Sequence, residues 1–270
     1  MPGIRWCLEW RNVMVRYSPP IMSSIYETQR LTDEYLLFHY GKDHEILPWE
    51  NGPAGALHFP VRTVTELLPA GLSAANPRLL RSLDIGCATG RSAFELSRIC
   101  EVVVAIDYSH AFIRAAQSLQ AQGQLNYQIA SEGRRMDSLV AFLPEGVHQE
   151  RVNFQQGDAM DLPVELGDFD LVHAANLICR LTIPLRFLAR LPSLVRPGGH
   201  LLLTTPCTWL ADFTPPDLWP SGSTFEWLKE VLGSHFDLAG QKDLPFLIRE
   251  HARKFQWSVA LGTVWQRRLA

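Results

Sequence analysis

The 270-residue sequence contains no run of about 18 consecutive apolar residues, so it offers no membrane-spanning helix. Charge of one sign is not in excess. The 25 Lys and Arg against 28 Asp and Glu leave a formal net charge of −3, which argues against a nucleic-acid or membrane-surface footprint. Cysteine is sparse: Cys7, Cys87, Cys100, Cys179 and Cys207 are odd in number, scattered and without a C-x-x-C pair. That favours reduced thiols in a cytosol over a disulfide framework or a zinc site. No H-E-x-x-H is present, and no cysteine or carboxylate set accompanies His39 and His44, so no metal is expected. Residues 1–21 lack the continuous apolar core and small-residue cleavage site of a secretory leader, and read as a loose arm or an extended start. The length suits one domain with appendages and a full core.

The chain is organised around residues 79–97, LLRSLDIGCATGRSAFELS. A short apolar run ending at Ile85 enters the small-residue turn Gly86-Cys87-Ala88-Thr89-Gly90, and a helical stripe of Ala93, Leu96 and Cys100 follows. Strand, tight turn and helix form the first unit of a doubly wound α/β sheet, with ligand beyond the strand's carboxyl end. A dinucleotide fingerprint needs glycine at 86, 88 and 91, where this chain has Gly86, Ala88 and Arg91. The arrangement Asp84-x-Gly86-x-Ala88-x-Gly90 instead resembles motif I of the class I S-adenosylmethionine-dependent methyltransferases. An acidic side chain there suits a ligand carrying an ammonium and a sulfonium.

The remaining elements read in order. Residues 25–40 form an amphipathic helix stopped by Gly41, 46–60 a loop, and 62–68 a short helix, giving an N-terminal helical cap over 22–79. The core then spans 80–270. EVVVAI (101–106) is a buried parallel strand with Asp107 at its end, placed to bind ribose hydroxyls; 108–119 is a helix. Residues 120–149 read as a long loop. RVNF (151–154) is the third strand and delivers Asp158, suited to an adenine amino group. The fourth strand, from Phe169, delivers Asn176 and then Arg180; 194–200 is a helix end and turn before a fifth strand ending at Pro206. A helix over 225–232 and strands over 236–241 and 254–265 complete a seven-stranded, mostly parallel Rossmann-like sheet. The last two strands put PFLIREH (245–251), read as their connecting turn, beside the site.

Several stretches together resemble one family: YLLFHYG (35–41), HFPVR (58–62), LDIGCATGRSAFELS (83–97), AANLICRL (174–181), TTPCTWL (204–210) and PFLIREHARKFQWSVA (245–260). They are similar to the C-terminal methyltransferase domain of ovothiol synthase, which methylates the π nitrogen of the 5-thiohistidine imidazole. The resemblance runs from about Ile25 to the C-terminus. Multidomain members carry an iron-dependent sulfoxide synthase region upstream, and this chain reads as a stand-alone form of the last step. Cys207 stands where the family pattern leads one to expect an aromatic residue.

The resemblance implies S-adenosylmethionine held by Asp84, Gly86, Cys87, Ala88, Gly90, Asp107, Tyr108, Asp158, Ala159 and Asn176. It implies a thiol-imidazole amino acid held by Tyr35, Phe38, His39, Arg62, Arg180, Arg249 and Glu250. A carboxylate calls for a bidentate arginine, for which Arg249, Arg62 and Arg180 are candidates; an α-ammonium calls for an acceptor such as Glu250 or Asn176. His39, His251 or Tyr40 could strip or orient a ring proton. Two other readings stay open: a methyltransferase for another small amino-acid-like or heteroaromatic acceptor, and a non-catalytic cofactor-binding module.

Overall fold

The computed structural model describes residues 25–69, 72 and 80–269. The arm expected over 1–21, and the parts of the cap at 22–24, 70–71 and 73–79, lie outside the described residues. In chain order the elements are α1 (Gln29–Tyr40), α2 (Asp43–Ile46), α3 (Phe59–Thr65), β1 (Arg81–Ile85), α4 (Arg91–Leu96), β2 (Val102–Asp107), α5 (His110–Gln122), β3 (Gln124–Glu132), β4 (Arg135–Phe142), β5 (Val152–Gln156), β6 (Phe169–Ala175), α6 (Pro184–Leu194), β7 (Val195–Thr205), α7 (Thr224–Leu232), β8 (Phe236–His251) and β9 (Lys254–Arg267).

The expected seven-stranded sheet is present, in the order β5-β2-β1-β6-β7-β9-β8. Strands β5, β2, β1, β6 and β7 run parallel, while β9 is antiparallel to both of its neighbours. The chain winds outward from β1 through β2 to β5, then returns to β6 on the other side of β1. Strand order therefore reverses between β1 and β6, and a crevice opens beyond their carboxyl ends. Alternation along the buried strands feeds two cores. Val103 and Ala105 of β2 pack with Phe94, Leu96 and Leu119 of α4 and α5. Ile106, with Leu83 and Ile85, faces Phe187 and Leu191 of α6 and Leu228 of α7. Among the described residues no helix is long and apolar enough to cross a membrane.

Four expectations need correcting. The loop expected over 120–149 is mostly an antiparallel hairpin, β3–β4, turning at Gly133 in the left-handed region. Its signal was a period-two alternation: Leu125, Tyr127 and Ile129 are spaced by polar residues, and Tyr127 and Ile129 are buried against α1 and α5. The loop expected over 46–60 includes a 3₁₀ turn at Ala54–Ala56 and the start of the next helix. That helix, expected over 62–68, is α3 and begins earlier, because Pro60 is favourable in a first helical turn. Finally, 245–251 is not a turn. Strand β8 runs unbroken to His251, and the β8–β9 hairpin extends beyond the last β7 pair, Thr205 with Leu261. Residues 244–251 and 254–260 thus form a two-stranded ribbon rising over the sheet edge.

Gly90 illustrates how tightly the first βα unit is packed. It adopts φ +90°, and a Cβ there would lie 2.6 Å from two ring atoms of Phe154 on β5. Gly90→Ala is expected to destabilise the fold by about 2–4 kcal/mol, combining backbone strain with core overlap. Denaturant midpoints check this; a loss under about 0.5 kcal/mol would show that Phe154 moves aside freely.

Candidate active site

The turn after β1 is held from both sides. The N–H groups of Gly86 and Cys87 both donate to Ile106 O, tying the turn to β2. Gly86 (φ +74°) and Ala88 (φ +47°) occupy the left-handed region, which costs the alanine of order 1 kcal/mol. Ala88 N–H donates to Asp107 Oδ2 and Ser109 N–H to Oδ1, both at 2.8 Å. Burial raises the Asp107 carboxyl from 3.8 to about 6, although those two backbone N–H groups pull it down.

Helix α1 clamps the turn from above. Tyr40 Oη donates to Thr89 O at 2.7 Å, Thr89 Oγ1 donates to Tyr35 O at 3.5 Å, and His39 Nδ1 accepts from Arg91 N–H at 3.4 Å. Burial, reinforced by the Arg91 charge, lowers His39 to about 3, so the ring is neutral near pH 7. With Nδ1 accepting, the ring proton sits on Nε2. His39 is a donor here, not a base.

A cavity of about 560 Å³ runs along the carboxyl edge of the sheet. One end is bounded by Gly86, Cys87, Ala88, Asp107, Tyr108, Asp158, Ala159 and Asn176. Asp158 Oδ1 accepts from Met160 N–H at 2.8 Å, which shapes the loop after β5. Asn176 (φ +53°) accepts from Thr204 Oγ1 at its carboxamide oxygen, leaving its NH₂ as a donor. The wall also includes Tyr35, Phe38 and His39 of α1, Phe59 and Pro60 of α3, Phe246 and Ile248 of β8, and Gln256 and Ser258 of β9.

Several expected site residues are not on this wall. Asp84 lies beneath the turn, where its carboxylate is engaged by His173 Nδ1 and Ser92 Oγ, each at 2.7 Å. Gly90 packs on Phe154, and Tyr40 serves the clamp. Arg62 bonds Glu66 and the carbonyls of Gly55 and Pro245. Arg249 is buried on the far face of the ribbon, donating to Glu45 O and Asp137. Glu250 pairs with Lys254 and accepts from Gln256, and His251 Nδ1 accepts from Arg253 N–H. For Arg249 the reason is strand parity: Ile248 and Phe246 face the cavity, so Arg249 and Leu247 point away. Of the three arginines considered, Arg180 alone lines the cavity. Its guanidinium donates to Thr208 and stacks over Phe213.

Sequence reasoning missed Tyr26, Glu34, Thr208, Phe213, Gln256 and Ser258, all on the wall. Two signals were available. β9 reads Gln256-Trp257-Ser258-Val259, with its polar side chains inward and its apolar ones exposed, a reversal expected where a strand lines a polar cavity. Glu34 sits in the middle of a buried helical face.

Residues 83–203 match a family described as a methyltransferase domain. An O-methyltransferase of Penicillium expansum, cnsE, is 30% identical over 122 residues, covering 45% of this chain and 36% of that protein. A ubiquinone biosynthesis O-methyltransferase of Xanthomonas campestris pv. campestris is 27% identical over 162 residues, 58% of this chain and 55% of its own length. The chain therefore spans between about a third and about half of the curated relatives it matches. The crystal structure of the N-methyltransferase NodS from Bradyrhizobium japonicum WM9, in complex with S-adenosyl-l-homocysteine, aligns with a TM-score of 0.50 at 16% identity, over 87% of this chain and 98% of that one. The fold is the Rossmann-like methyltransferase fold. Within it, the chain carries a class I S-adenosylmethionine-dependent methyltransferase domain.

The cavity fits that cofactor on its own chemistry. Each Asp107 oxygen accepts one backbone N–H and retains lone-pair capacity for a vicinal diol, and the left-handed Gly86–Ala88 backbone lets a ligand approach closely. Tyr40→Phe is expected to loosen the turn without unfolding the chain, costing about 1 kcal/mol for the lost bond to Thr89. Hydrogen exchange at the Cys87–Arg91 amides should accelerate. Unchanged exchange would mean that the clamp resides in the other two contacts.

Proposed function

We propose that this chain transfers a methyl group from S-adenosylmethionine to the π nitrogen of the imidazole of 5-thiohistidine, giving ovothiol A. One observation carries the reading. Of the six stretches that resemble the ovothiol synthase domain, four line the cavity with residues outside the glycine turn: 35–41 supplies Tyr35, Phe38 and His39; 58–62 supplies Phe59 and Pro60; 204–210 supplies Pro206 and Thr208; 245–260 supplies Phe246, Ile248, Gln256 and Ser258. A resemblance confined to the cofactor turn would say nothing about the acceptor. The division into a helical cap (22–79) and a core (80–270), with a cytoplasmic setting, belongs to the same reading.

Bound S-adenosylmethionine supplies a methyl carbon already activated by its sulfonium. The residues then have to align one nucleophile and exclude water. A thiolate on the acceptor competes with the ring nitrogen, so selectivity depends on fixing the sulfur and the amino-acid end. Arg180, beside Asn176 on the cavity wall, suits the carboxylate. The Nε2–H of His39 suits an anionic sulfur, holding it off the methyl group. Tyr35 and Phe38 flank the imidazole, and Asp107 accepts from the ribose hydroxyls.

Mass spectrometry of the protein incubated with S-adenosylmethionine and reduced 5-thiohistidine is expected to show a gain of one methyl, located by NMR on the π nitrogen. Methylation on sulfur, or of another acceptor only, would replace this substrate. The Asp107 role adds a pH test. Its folded pKa is raised, so the carboxylate that accepts from the ribose is lost as pH falls through about 6. Affinity for S-adenosylhomocysteine is expected to drop about tenfold between pH 7 and pH 5. The ligand-free fold responds in the opposite sense, losing stability as pH rises through that value. Calorimetric affinity that stays flat across this window would exclude Asp107 as the ribose acceptor.

A further inference from the structure

Glu34 is a carboxylate in the wall of the cavity. It sits in the middle of α1, its side chain is 8% exposed, and one turn separates it from Phe38 on the same face. Among the described residues its one ion-pair partner is Arg30, whose Nε meets Oε1 at 2.9 Å. The Arg30 side chain is 73% exposed, so much of its charge is spent on solvent. No hydrogen bond among the described residues reaches Glu34 Oε2, and this oxygen is not sealed from solvent. Glu34 is one of the residues that line the cavity, and Oε1 is the oxygen that Arg30 engages. A buried carboxylate needs a cation or several donors, and Arg30 engages one of the two oxygens of Glu34.

The surroundings indicate what would complete it. Phe38, Phe59 and Phe246 form an aromatic triangle with centroid separations of 6.1, 4.8 and 6.3 Å. Aromatic faces attract a cation that has been drawn out of water. Gln256 and Ser258 bring hydrogen-bonding groups to the same cavity from the ribbon. A half-compensated carboxylate, aromatic faces and two neutral polar groups together suit a primary ammonium. The cavity's guanidinium, Arg180, is available for the opposite charge. Burial raises the Tyr35 phenol, and the fields of both Arg180 and Glu34 reach it, so the two charged groups share one neighbourhood.

We infer that Glu34, assisted by Gln256 and Ser258, receives the α-ammonium of the acceptor, so that the site selects free amino acids over des-amino and N-acylated analogues. The inference rests on the reading of the acceptor as an amino acid, and it moves the ammonium contact away from Glu250, which is committed to Lys254 and Gln256. It also gives the acceptor a polarity in the cavity. With the carboxylate at Arg180 and the ammonium at Glu34, the imidazole edge facing the methyl group is fixed.

The test compares wild type, Glu34→Gln and Arg30→Ala on 5-thiohistidine and on its des-amino analogue, the thiolated imidazole-propionate. Glu34→Gln is expected to raise KM for the amino acid about 10- to 100-fold with a smaller change in kcat, and to leave the des-amino analogue unaffected. Arg30→Ala keeps the carboxylate and should not raise KM for the amino acid; a rise equal to that of Glu34→Gln would show that the ion pair and not the carboxylate serves the acceptor, overturning the assignment. Equal losses on both acceptors, or none on either, would overturn the assignment while leaving 5-thiohistidine as substrate. An arm independent of turnover separates the two ideas. Histidine and imidazole-propionate are titrated by calorimetry into each protein loaded with S-adenosylhomocysteine. If wild type prefers histidine and Glu34→Gln does not, the ammonium site stands even where thiohistidine is not methylated. If wild type binds neither compound and methylates nothing, both fall.

Discussion

The contact between Asp84 and His173 holds together the elements that form the site. The two residues are directly paired neighbours on β1 and β6, they are buried, and Oδ1 and Nδ1 are 2.7 Å apart. His173 Nε2 continues at 3.0 Å to Thr63 of α3, and Asp84 Oδ2 accepts from Ser92 of α4. One polar centre therefore joins both strands that flank the crevice, the helix that follows the glycine turn and a helix of the N-terminal region. Such a network is favourable only when every member is satisfied, and removing a single partner from a buried pair typically costs about 3–5 kcal/mol. The acid at the start of the motif is engaged within the scaffold, between β6 and α4.

The second tie runs through α1. Three hydrogen bonds from its C-terminal half reach the turn between Thr89 and Arg91, while Glu34, Tyr35, Phe38 and His39 line the cavity. The same helix thus positions the turn and part of the opposite wall. Movement of α1 would alter both together, so the alignment needed for in-line transfer does not depend on two independent elements finding each other.

Much of this was visible in the residues. The β-branched run of β2, the small-residue turn and the polar residues Asp107, Asp158 and Asn176 at strand ends follow from period and position, and the seven-stranded, mostly parallel sheet follows from the doubly wound pattern. What could not be read was parity and depth. In a hairpin, neighbouring residues face opposite ways, so Arg249, Glu250, His251 and Arg253 read as one cluster at the site when Ile248 faces the cavity and Arg249 does not. Asp84 appeared exposed to ligand because a strand buried on both faces gives no pattern to show which way its one acid points. Glu34 was hidden by the usual reading of an amphipathic helix, in which charge marks solvent. The β3–β4 hairpin had a legible alternation, but its position inside a crossover made a loop the natural reading.

The inverted alternation of β9 carries a consequence for how this architecture changes partners. Gln256 and Ser258 face the cavity only because the ribbon pairs in one register, with an irregularity between Arg249 and His251 near its tip. A slip of a single residue there would present Trp257 and Val259 instead, converting a polar wall into an apolar one without altering any side chain of the sheet proper. In this fold, the polarity of one cavity wall depends on the count of residues around a hairpin. An insertion or deletion at the ribbon tip would therefore remake this wall while the glycine-turn end of the cavity stayed intact.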